Sequence, residues 1–363
     1  MMRTLDRRDT TILKGLAITA IVFHNFFHFV SPAHQNEFTF DPARFPVFLQ
    51  TVAQPDLAVQ AICSFFGHFG VQIFVFLSAY GLSISHWDDP APWARFLWGR
   101  MKKLYPGMAL IVLPWFLAVS VHLGSLQPMG RIGLELVLMF LGLSTLVGYG
   151  LPPVGPWWFI PFVVQFYALY PLLRWMTRRF GWRSLVALSG LSMTVTAAAN
   201  PILAHWSINL FMTPIGRMPV LCFGILAARY PLQLNRKCAL AAAIVLLLGC
   251  RFAAFWPFTF IAALWFALWI YIPARGLLRR SRALEQIGCN SMLIFMINGI
   301  VRDQFVPLSS SPASQLFFGS VSALVSFVLA ALLQYLARGT RDPLPPPELG
   351  YGPLAEGPAQ AGI

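Results

Sequence analysis

The sequence predicts an all-α, polytopic integral membrane protein with about ten transmembrane helices, and three observations support this fold class. Of its 363 residues, 57% are hydrophobic and only 11% are charged, whereas soluble domains carry about 25% charged residues. The mean hydropathy is +0.66. The apolar residues form long stretches separated by short basic runs, which is typical of a membrane protein with basic cytoplasmic loops. Soluble, disordered, collagen-like and coiled-coil chains are disfavoured for the same reasons.

Eleven segments are apolar enough to be candidate membrane helices, since a crossing needs about 20 apolar residues. They cover residues 12–30, 66–86, 107–123, 131–148, 157–173, 184–199, 209–228, 238–254, 257–273, 287–306 and 315–337. The first is too long for a cleavable signal and is interpreted as a signal anchor. We assign residues 1–340 to one membrane-embedded domain, and the Pro- and Gly-rich residues 341–363 to a disordered cytoplasmic tail.

The basic residues predict the orientation of the chain, because cytoplasmic loops are enriched in Lys and Arg. If every basic cluster is cytoplasmic, both termini lie inside and an even number of crossings separates neighbouring clusters. The interval between Lys103 and Arg174 breaks this rule, because it contains three apolar segments. We therefore expect ten crossings in the inner (cytoplasmic) membrane. Segment 107–123 is our choice for the non-spanning one, because Pro114 interrupts it.

Charge and cysteine content exclude several classes of function. A net charge of +13 would suggest nucleic acid in a soluble protein, but here the positions of the basic residues indicate contact with membrane lipids and no nucleic acid. The five cysteines are scattered without a Cys-x-x-Cys motif, so neither a disulfide framework nor a zinc site is predicted. A His24–His28 metal pair lacks a third ligand in the sequence, and we expect no metal.

Polar residues inside the first apolar segment are the strongest functional candidates, because ionisable groups at membrane depth are costly. Lys14 stands at its cytoplasmic start, and His24, Asn25 and His28 follow. At 1.5 Å per residue, His24 lies about 15 Å beyond Lys14, near the middle of the bilayer. His24 and His28 are one turn apart and share a face. The alternative is a packed histidine bonded to a neighbouring helix, with Lys14 as an ordinary anchor.

Other polar or aromatic residues interrupt later apolar segments and are candidates for substrate binding. They are Ser78, Tyr80, Trp158, Gln165, Tyr167, Arg217, Ser291, Asn298 and Arg302. For Trp158, a place in the aromatic belt at the membrane interface is the alternative. The basic loop before Pro106 contains Arg100, Lys102 and Lys103, which either anchor the topology or hold an anionic phosphate.

From about Leu5 to Leu336, the chain resembles the acyltransferase 3 family of integral-membrane O-acyltransferases. Five segments carry the resemblance in the family's order: LKGLA…H (13–24), GVQIFVFLSAY (70–80), RMKKLYP (100–106), WFI…QFY…P (158–171) and IGCNSMLIFM (287–296). Several features depart from the family pattern, among them Val163-Val164 at the usual acidic pair before Gln-x-Tyr and the replacement of a late histidine near Asn298. Gln72 stands at the usual acidic position, and nine residues instead of ten separate Lys14 from His24, so either His24 or His28 takes the place of the catalytic histidine.

The resemblance implies transfer of an acyl group, most simply acetyl, to a hydroxyl of a cell-surface or lipid-linked glycan. Acetyl-CoA (or another acyl-CoA) would be the donor substrate, with no permanently bound cofactor. We expect His24 to be the general base, kept neutral by desolvation, and Asn25 or His28 to orient the ring or the acceptor. Lys14, Arg100, Lys102 and Lys103 would bind the coenzyme A phosphates.

Two functions of other classes stay open. A transporter or glycolipid flippase would also carry polar groups at mid-membrane, although the sequence has no evident internal repeat and few charges for ion coupling. A structural membrane partner within a polysaccharide assembly complex is the third possibility.

The loop 31–64 would lie near the glycan entrance if the acyltransferase interpretation holds.

Overall fold

The computed structural model describes residues 5–35, 37–89, 91–123, 126–148, 152–230 and 235–339, in which helices are joined by loops and there are no strands. The tail 341–363, expected to be disordered, lies outside the described residues. The all-α prediction is confirmed for the described part of the chain. Its α-helices are α1 (Arg7–Val30), α2 (Arg44–Val52), α3 (Ala58–Phe66), α4 (Gly70–Ser85), α5 (Trp93–Leu123), α6 (Leu126–Phe140), α7 (Phe159–Phe180), α8 (Trp182–Leu203), α9 (Met218–Arg229), α10 (Arg236–Arg251), α11 (Thr259–Leu278), α12 (Arg282–Cys289), α13 (Ser291–Phe305) and α14 (Pro312–Gly339).

The number of membrane-spanning helices is smaller than the sequence suggests. Within the described ranges, seven helical segments are long and apolar enough to cross a bilayer, or eight if α12 and α13, which meet at 80°, form one broken span. The expected count of ten is not confirmed. All eleven apolar segments contain helix, but α6, α9 and α10 have only 15, 12 and 16 residues, whereas a crossing needs about 20.

Pro114 does not interrupt its helix, contrary to the expectation from sequence. Helix α5 continues for 31 residues with both Pro106 and Pro114 inside it. A proline removes one backbone hydrogen bond, but the remaining hydrogen bonds of α5 continue on both sides of it. The shorter helix of this interval is α6, so we now expect α6 to be the non-spanning segment between Lys103 and Arg174.

The revised topology makes a prediction that thiol labelling can test. An Arg179→Cys variant, in a background without accessible native cysteines, should react with a membrane-impermeant reagent only in inside-out vesicles, because the loop 174–183 is expected to be cytoplasmic. Ser310→Cys, before α14, should react only from the outside. Labelling of Arg179→Cys from the outside would mean that α5, α6 and α7 all cross the membrane.

Helix α1 packs against α3, α4, α12, α13 and α14 at the centre of the structure, and glycines make the closest crossings possible. A Cβ added at Gly67 would lie 2.7 Å from the Cβ of His24, and one at Gly70 would lie 2.6 Å from the carbonyl oxygen of Ala17. Such contacts are sterically prohibited, so only glycine allows this approach. The α3–α4 span therefore crosses α1 at the height of His24.

A cluster of ionic groups holds the N-terminal end of α1 to α11. Asp9 is completely buried, pairs with Arg275, and accepts a hydrogen bond from the Tyr271 hydroxyl at 2.8 Å. Asp6 caps α1 and pairs with Arg279 at 2.7 Å. Burial raises the pKa of Asp6, but the backbone N–H of Asp9 and the Arg279 guanidinium outweigh it and lower the pKa. These contacts fix the start of α1, the helix that carries His24, against α11.

Candidate functional site

His24 has a fixed orientation in the last third of α1. Its ring Nδ1 lies 2.9 Å from the carbonyl oxygen of Ser64 on α3, and the residue keeps only 7% of its surface exposed. Because a carbonyl oxygen can only accept a hydrogen bond, the network assigns the proton to Nδ1 and the lone pair to Nε2. A neutral imidazole with a defined tautomer is suited to remove a proton from a hydroxyl group.

Three more histidine rings extend from His24 in a continuous cluster. The His24 ring centroid lies 5.3 Å from that of His28 and 5.5 Å from that of His68, and the His28 and His34 centroids are 4.8 Å apart. Nowhere in the described residues do three His, Cys, Asp or Glu side chains converge on one metal position. The four rings form one contiguous group of imidazole side chains, led by His24.

A polar cavity lies at one end of the histidine cluster. It has a volume of about 250 Å³ and is lined by His28, His34, Gln35, Thr39, Asp41 and Arg44. Arg44 and Asp41 form an ion pair at 2.9 Å. The orientation expected from the basic clusters would place this cavity on the outer side. Imidazole, amide, carboxylate and guanidinium groups together can hydrogen-bond the hydroxyls of a sugar.

A second, apolar cavity of about 240 Å³ adjoins the polar one. Phe40, Phe211, Trp256 and Phe260 contribute aromatic walls, and Thr39 lines both cavities. The apolar cavity lies between the ends of α8, α9 and α11 that are expected to face outward. The polar cavity and the apolar cavity share Thr39, so together they could receive the polar part and the apolar part of an amphiphilic molecule.

Asn25 links α1 to α13, next to His24. Its side-chain Nδ2 donates a hydrogen bond of 2.7 Å to Oδ1 of Asn298. Further along α13, the Arg302 guanidinium pairs with Asp303 at 2.7 Å and lies 4.1 Å from the ring centroid of Phe29. The structure thus brings Asn25, Asn298 and Arg302 together beside the histidine cluster.

Other candidates for substrate binding make bonds elsewhere in the fold. The Ser78 hydroxyl donates to the backbone of its own helix, and the Tyr80 hydroxyl donates to the carbonyl of Leu5 at 3.1 Å. Gln165 donates to the carbonyl of Gly142 at 2.7 Å. Ser291 is buried at the bend between α12 and α13. The structure does not bring these four side chains to the histidine cluster.

The expected donor-binding residues are only partly assembled. The Arg100 guanidinium lies 4.9 Å from the Tyr167 ring centroid, and its Nη2 is 3.4 Å from the Tyr167 hydroxyl. Its buried Nε has no hydrogen-bond partner among the described residues. Lys14 lies within electrostatic range of Arg100. Lys102 and Lys103 are exposed, and the Lys102 ammonium lies over the Trp98 ring instead.

Arg217 forms a buried ion pair near the histidine cluster. Its guanidinium is completely buried and lies 3.0 Å from the carboxylate of Glu37, whose side chain is 10% exposed. It also lies 4.1 Å from the Phe260 ring centroid and 5.9 Å from that of Trp158. Burial raises the pKa of Glu37 to about 7, against the opposing effect of Arg217. Trp158 is 4% exposed, so it lies in the core and not in an interfacial belt.

Four residues of this region were not predicted as site residues: Ser64, His68, His34 and Glu37. His68 carried a usable signal, because it is a polar residue within an apolar segment, as His24 is. His34 and Glu37 lie in a loop, where polar residues are ordinary. Ser64 contributes its backbone carbonyl, which has no signature in a sequence.

Comparison with known proteins places nearly the whole chain in one family. The family model described as an acyltransferase domain, Acyl_transf_3, matches residues 9–335. No curated protein and no solved structure matches the chain.

Proposed function

The chain belongs to the acyltransferase 3 family, and from this premise we propose that it is a multi-pass O-acyltransferase of the inner membrane. The acyl group, most simply acetyl, comes from cytoplasmic acyl-CoA and goes to a hydroxyl of a glycan or glycolipid. The observation that carries the proposal is the bond between His24 Nδ1 and the Ser64 carbonyl. It leaves Nε2 as a base at the depth where the two substrates would meet.

The reaction needs one base and no redox step. Nε2 of His24 takes the proton of the acceptor hydroxyl as the hydroxyl oxygen attacks the thioester carbon. The tetrahedral intermediate then collapses, the carbon–sulfur bond breaks, and the coenzyme A thiolate receives a proton. Asn25, held by Asn298, keeps α1 in register with α13 and thereby supports the orientation of the base.

Donor binding is assigned to the cytoplasmic pair of Lys14 and Arg100. Both lie within electrostatic range of each other, and the unpartnered Nε of Arg100 is a donor ready for a phosphate oxygen. Lys14 precedes His24 by ten residues, or about 15 Å along α1. A pantetheine arm can bridge such a distance and deliver the thioester to the base.

Acceptor binding is assigned to the two outer cavities. The polar cavity contains His28, one turn from the base, and suits the sugar. The adjoining apolar cavity suits a hydrocarbon chain, which favours a lipid-linked acceptor over a free glycan.

The decisive test is acyl-CoA-dependent labelling of a glycan by purified protein. With acetyl-CoA labelled in the acetyl group, we expect label in a glycan or glycolipid fraction together with stoichiometric free coenzyme A. Mass spectrometry of surface glycans with and without the gene should find one added acyl mass per modified hydroxyl. Movement of a glycolipid between leaflets without release of coenzyme A would instead support the transporter or flippase alternative.

Arg100→Gln should weaken donor binding specifically. Loss of a charge-assisted hydrogen bond costs about 1.5–3 kcal/mol, which corresponds to a roughly ten- to hundredfold increase in KM for acyl-CoA at about 1.4 kcal/mol per decade. Steady-state kinetics should find KM for the glycan unchanged. Arg95→Gln is the matched control, because Arg95 is an exposed member of the same basic cluster. Equal donor saturation in the two variants would make Arg100 a topology signal only.

A further inference from the structure

His68 is buried in the α3–α4 span, near the backbone of Phe65. It is 1% exposed, and neither ring nitrogen has a hydrogen-bond partner among the described residues. Gln72, about one turn later in the same span, is completely buried and also has no partner for its amide nitrogen or oxygen within the described chain. Side chains at this spacing share a helix face. One face of the α3–α4 span therefore presents two unsatisfied polar groups to the interior.

Such groups destabilise a folded protein unless a ligand satisfies them. A buried donor or acceptor without a partner loses its bonds to water, and an apolar side chain of similar size would avoid that loss. The large majority of buried side-chain polar atoms in proteins have a partner, so each exception needs an explanation. An explanation based on substrate is available here, because His68 lies beside the proposed base.

The position of His68 suits contact with the same reacting group as His24. The two ring centroids are 5.5 Å apart, and the close approach of Gly67 to His24 fixes this distance. Two rings at this separation can both reach a carbonyl group placed against them, one from the side of the attacking hydroxyl and one from the side of the carbonyl oxygen.

Acyl transfer creates a need for such a donor. When a hydroxyl oxygen adds to the thioester carbon, the carbonyl oxygen becomes an oxyanion, and donors aimed at it lower the barrier. A neutral imidazole has one N–H that can donate. The Arg217 guanidinium lies within electrostatic range of His68, and its Nη1 is buried without a partner in the described residues. Its positive charge favours a developing anion at this place.

We propose that His68 is a catalytic residue that donates a hydrogen bond to the thioester oxyanion, with Gln72 on the same face as a supporting polar group. This assignment rests on the proposed acyltransferase function and deepens it by adding an oxyanion site to the base. Atoms balance as before: the proton taken by His24 ends on the coenzyme A sulfur, and His68 keeps its own proton throughout.

The test compares His68→Leu, His68→Gln and Phe65→Leu in the full-length protein in lipid nanodiscs. Acetyl-CoA is the donor, water and a high concentration of methyl glucoside are the acceptors, and free coenzyme A is measured by chromatography. His68→Leu should lower kcat by about 10²–10³-fold, as loss of one oxyanion donor does elsewhere. KM for acetyl-CoA should stay unchanged, because the interaction forms only in the transition state.

Thermal unfolding separates this role from a structural one. His68→Leu should keep or raise Tm, because it removes an unsatisfied polar group. His68→Gln, which restores an N–H donor, should recover most of the lost kcat. Phe65→Leu, at a buried apolar neighbour that lines the same small cavity as His68, should lower Tm through lost packing and keep kcat close to that of the wild type.

Each result for kcat and Tm either supports or overturns the proposed role of His68. A His68→Leu protein with unchanged kcat, or a His68→Gln protein as slow as His68→Leu, would overturn the role of His68 and leave the acyltransferase function standing. If His68→Leu lost kcat and also lowered Tm as much as Phe65→Leu does, His68 would be a packing residue. If the wild-type protein released no coenzyme A above a no-protein control, the proposed reaction itself would fall, and His68 with it.

Discussion

His24→Ala should lower kcat for acyl transfer by about 10²–10⁴-fold, the range expected for loss of a general base. The variant should still insert into the membrane, because the basic clusters that direct insertion are untouched. The substitution also leaves room for a small base at the site. Added imidazole should therefore restore part of the activity of the alanine variant, which a purely structural histidine would not allow. Rates with saturating acyl-CoA, with and without imidazole, are the measurement.

His28→Ala is the matched comparison, because His28 lies one turn from His24 and lines the polar cavity. We expect it to raise KM for the acceptor and to lower kcat far less than His24→Ala does. The opposite pattern, an active His24→Ala protein and an inactive His28→Ala protein with normal Tm, would transfer the role of base to His28. That result would also agree with the shortened spacing from Lys14.

Glu37→Leu should be the most destabilising single substitution that we propose. It leaves the completely buried Arg217 guanidinium without its counter-charge. Removing one partner of a buried ion pair costs about 3–5 kcal/mol, because the remaining charge is desolvated without compensation. Thermal unfolding of the purified protein, followed by exposure of buried cysteines to a thiol reagent, measures the loss. Cys222 and Cys250 are suitable reporters, since both are buried.

The double variant Glu37→Leu/Arg217→Met should regain most of that stability, since a buried ion pair can be replaced by apolar residues at little cost. Asp88→Leu is the matched control. It breaks the pair with Arg178, which spans 3.8 Å and has side chains 53% and 83% exposed, and surface pairs contribute about 0–1 kcal/mol. Equal losses in Glu37→Leu and Asp88→Leu would contradict a special role for the buried pair.

Composition and periodicity were enough to predict the class of this fold. Long apolar stretches must become helices in a bilayer, because every backbone polar group has to be satisfied within the segment. The number of crossings could not be predicted equally well. An apolar stretch indicates that a helix is present. The length of that helix depends on where loops and bends interrupt the stretch, and these depend on packing. Segment 209–228, for example, contains a helix of only 12 residues, Met218–Arg229.

Some residues of the candidate site could likewise be predicted from the sequence, and others could not. Lys14, His24, Asn25 and His28 could be singled out because they lie on one segment, where a single rule relates separation in sequence to distance in space. Ser78, Tyr80 and Gln165 were selected because they are polar residues in apolar helices, but their side chains donate hydrogen bonds to backbone carbonyls elsewhere in the fold. A polar side chain in an apolar helix indicates that some partner exists, but it does not identify that partner.

Residues close together in sequence thus predicted the helical membrane fold and the polar face of α1, because each of these depends on local pattern alone. Packing between distant segments established the rest. The Ser64 carbonyl that orients His24 lies 40 residues away, and Glu37 and Arg217 are separated by 180 residues. Their meeting depends on how α1, the α3–α4 span and the outer loops cross, and glycines such as Gly67 allow that crossing. These contacts join segments far apart in the chain, so no local pattern in the sequence encodes them.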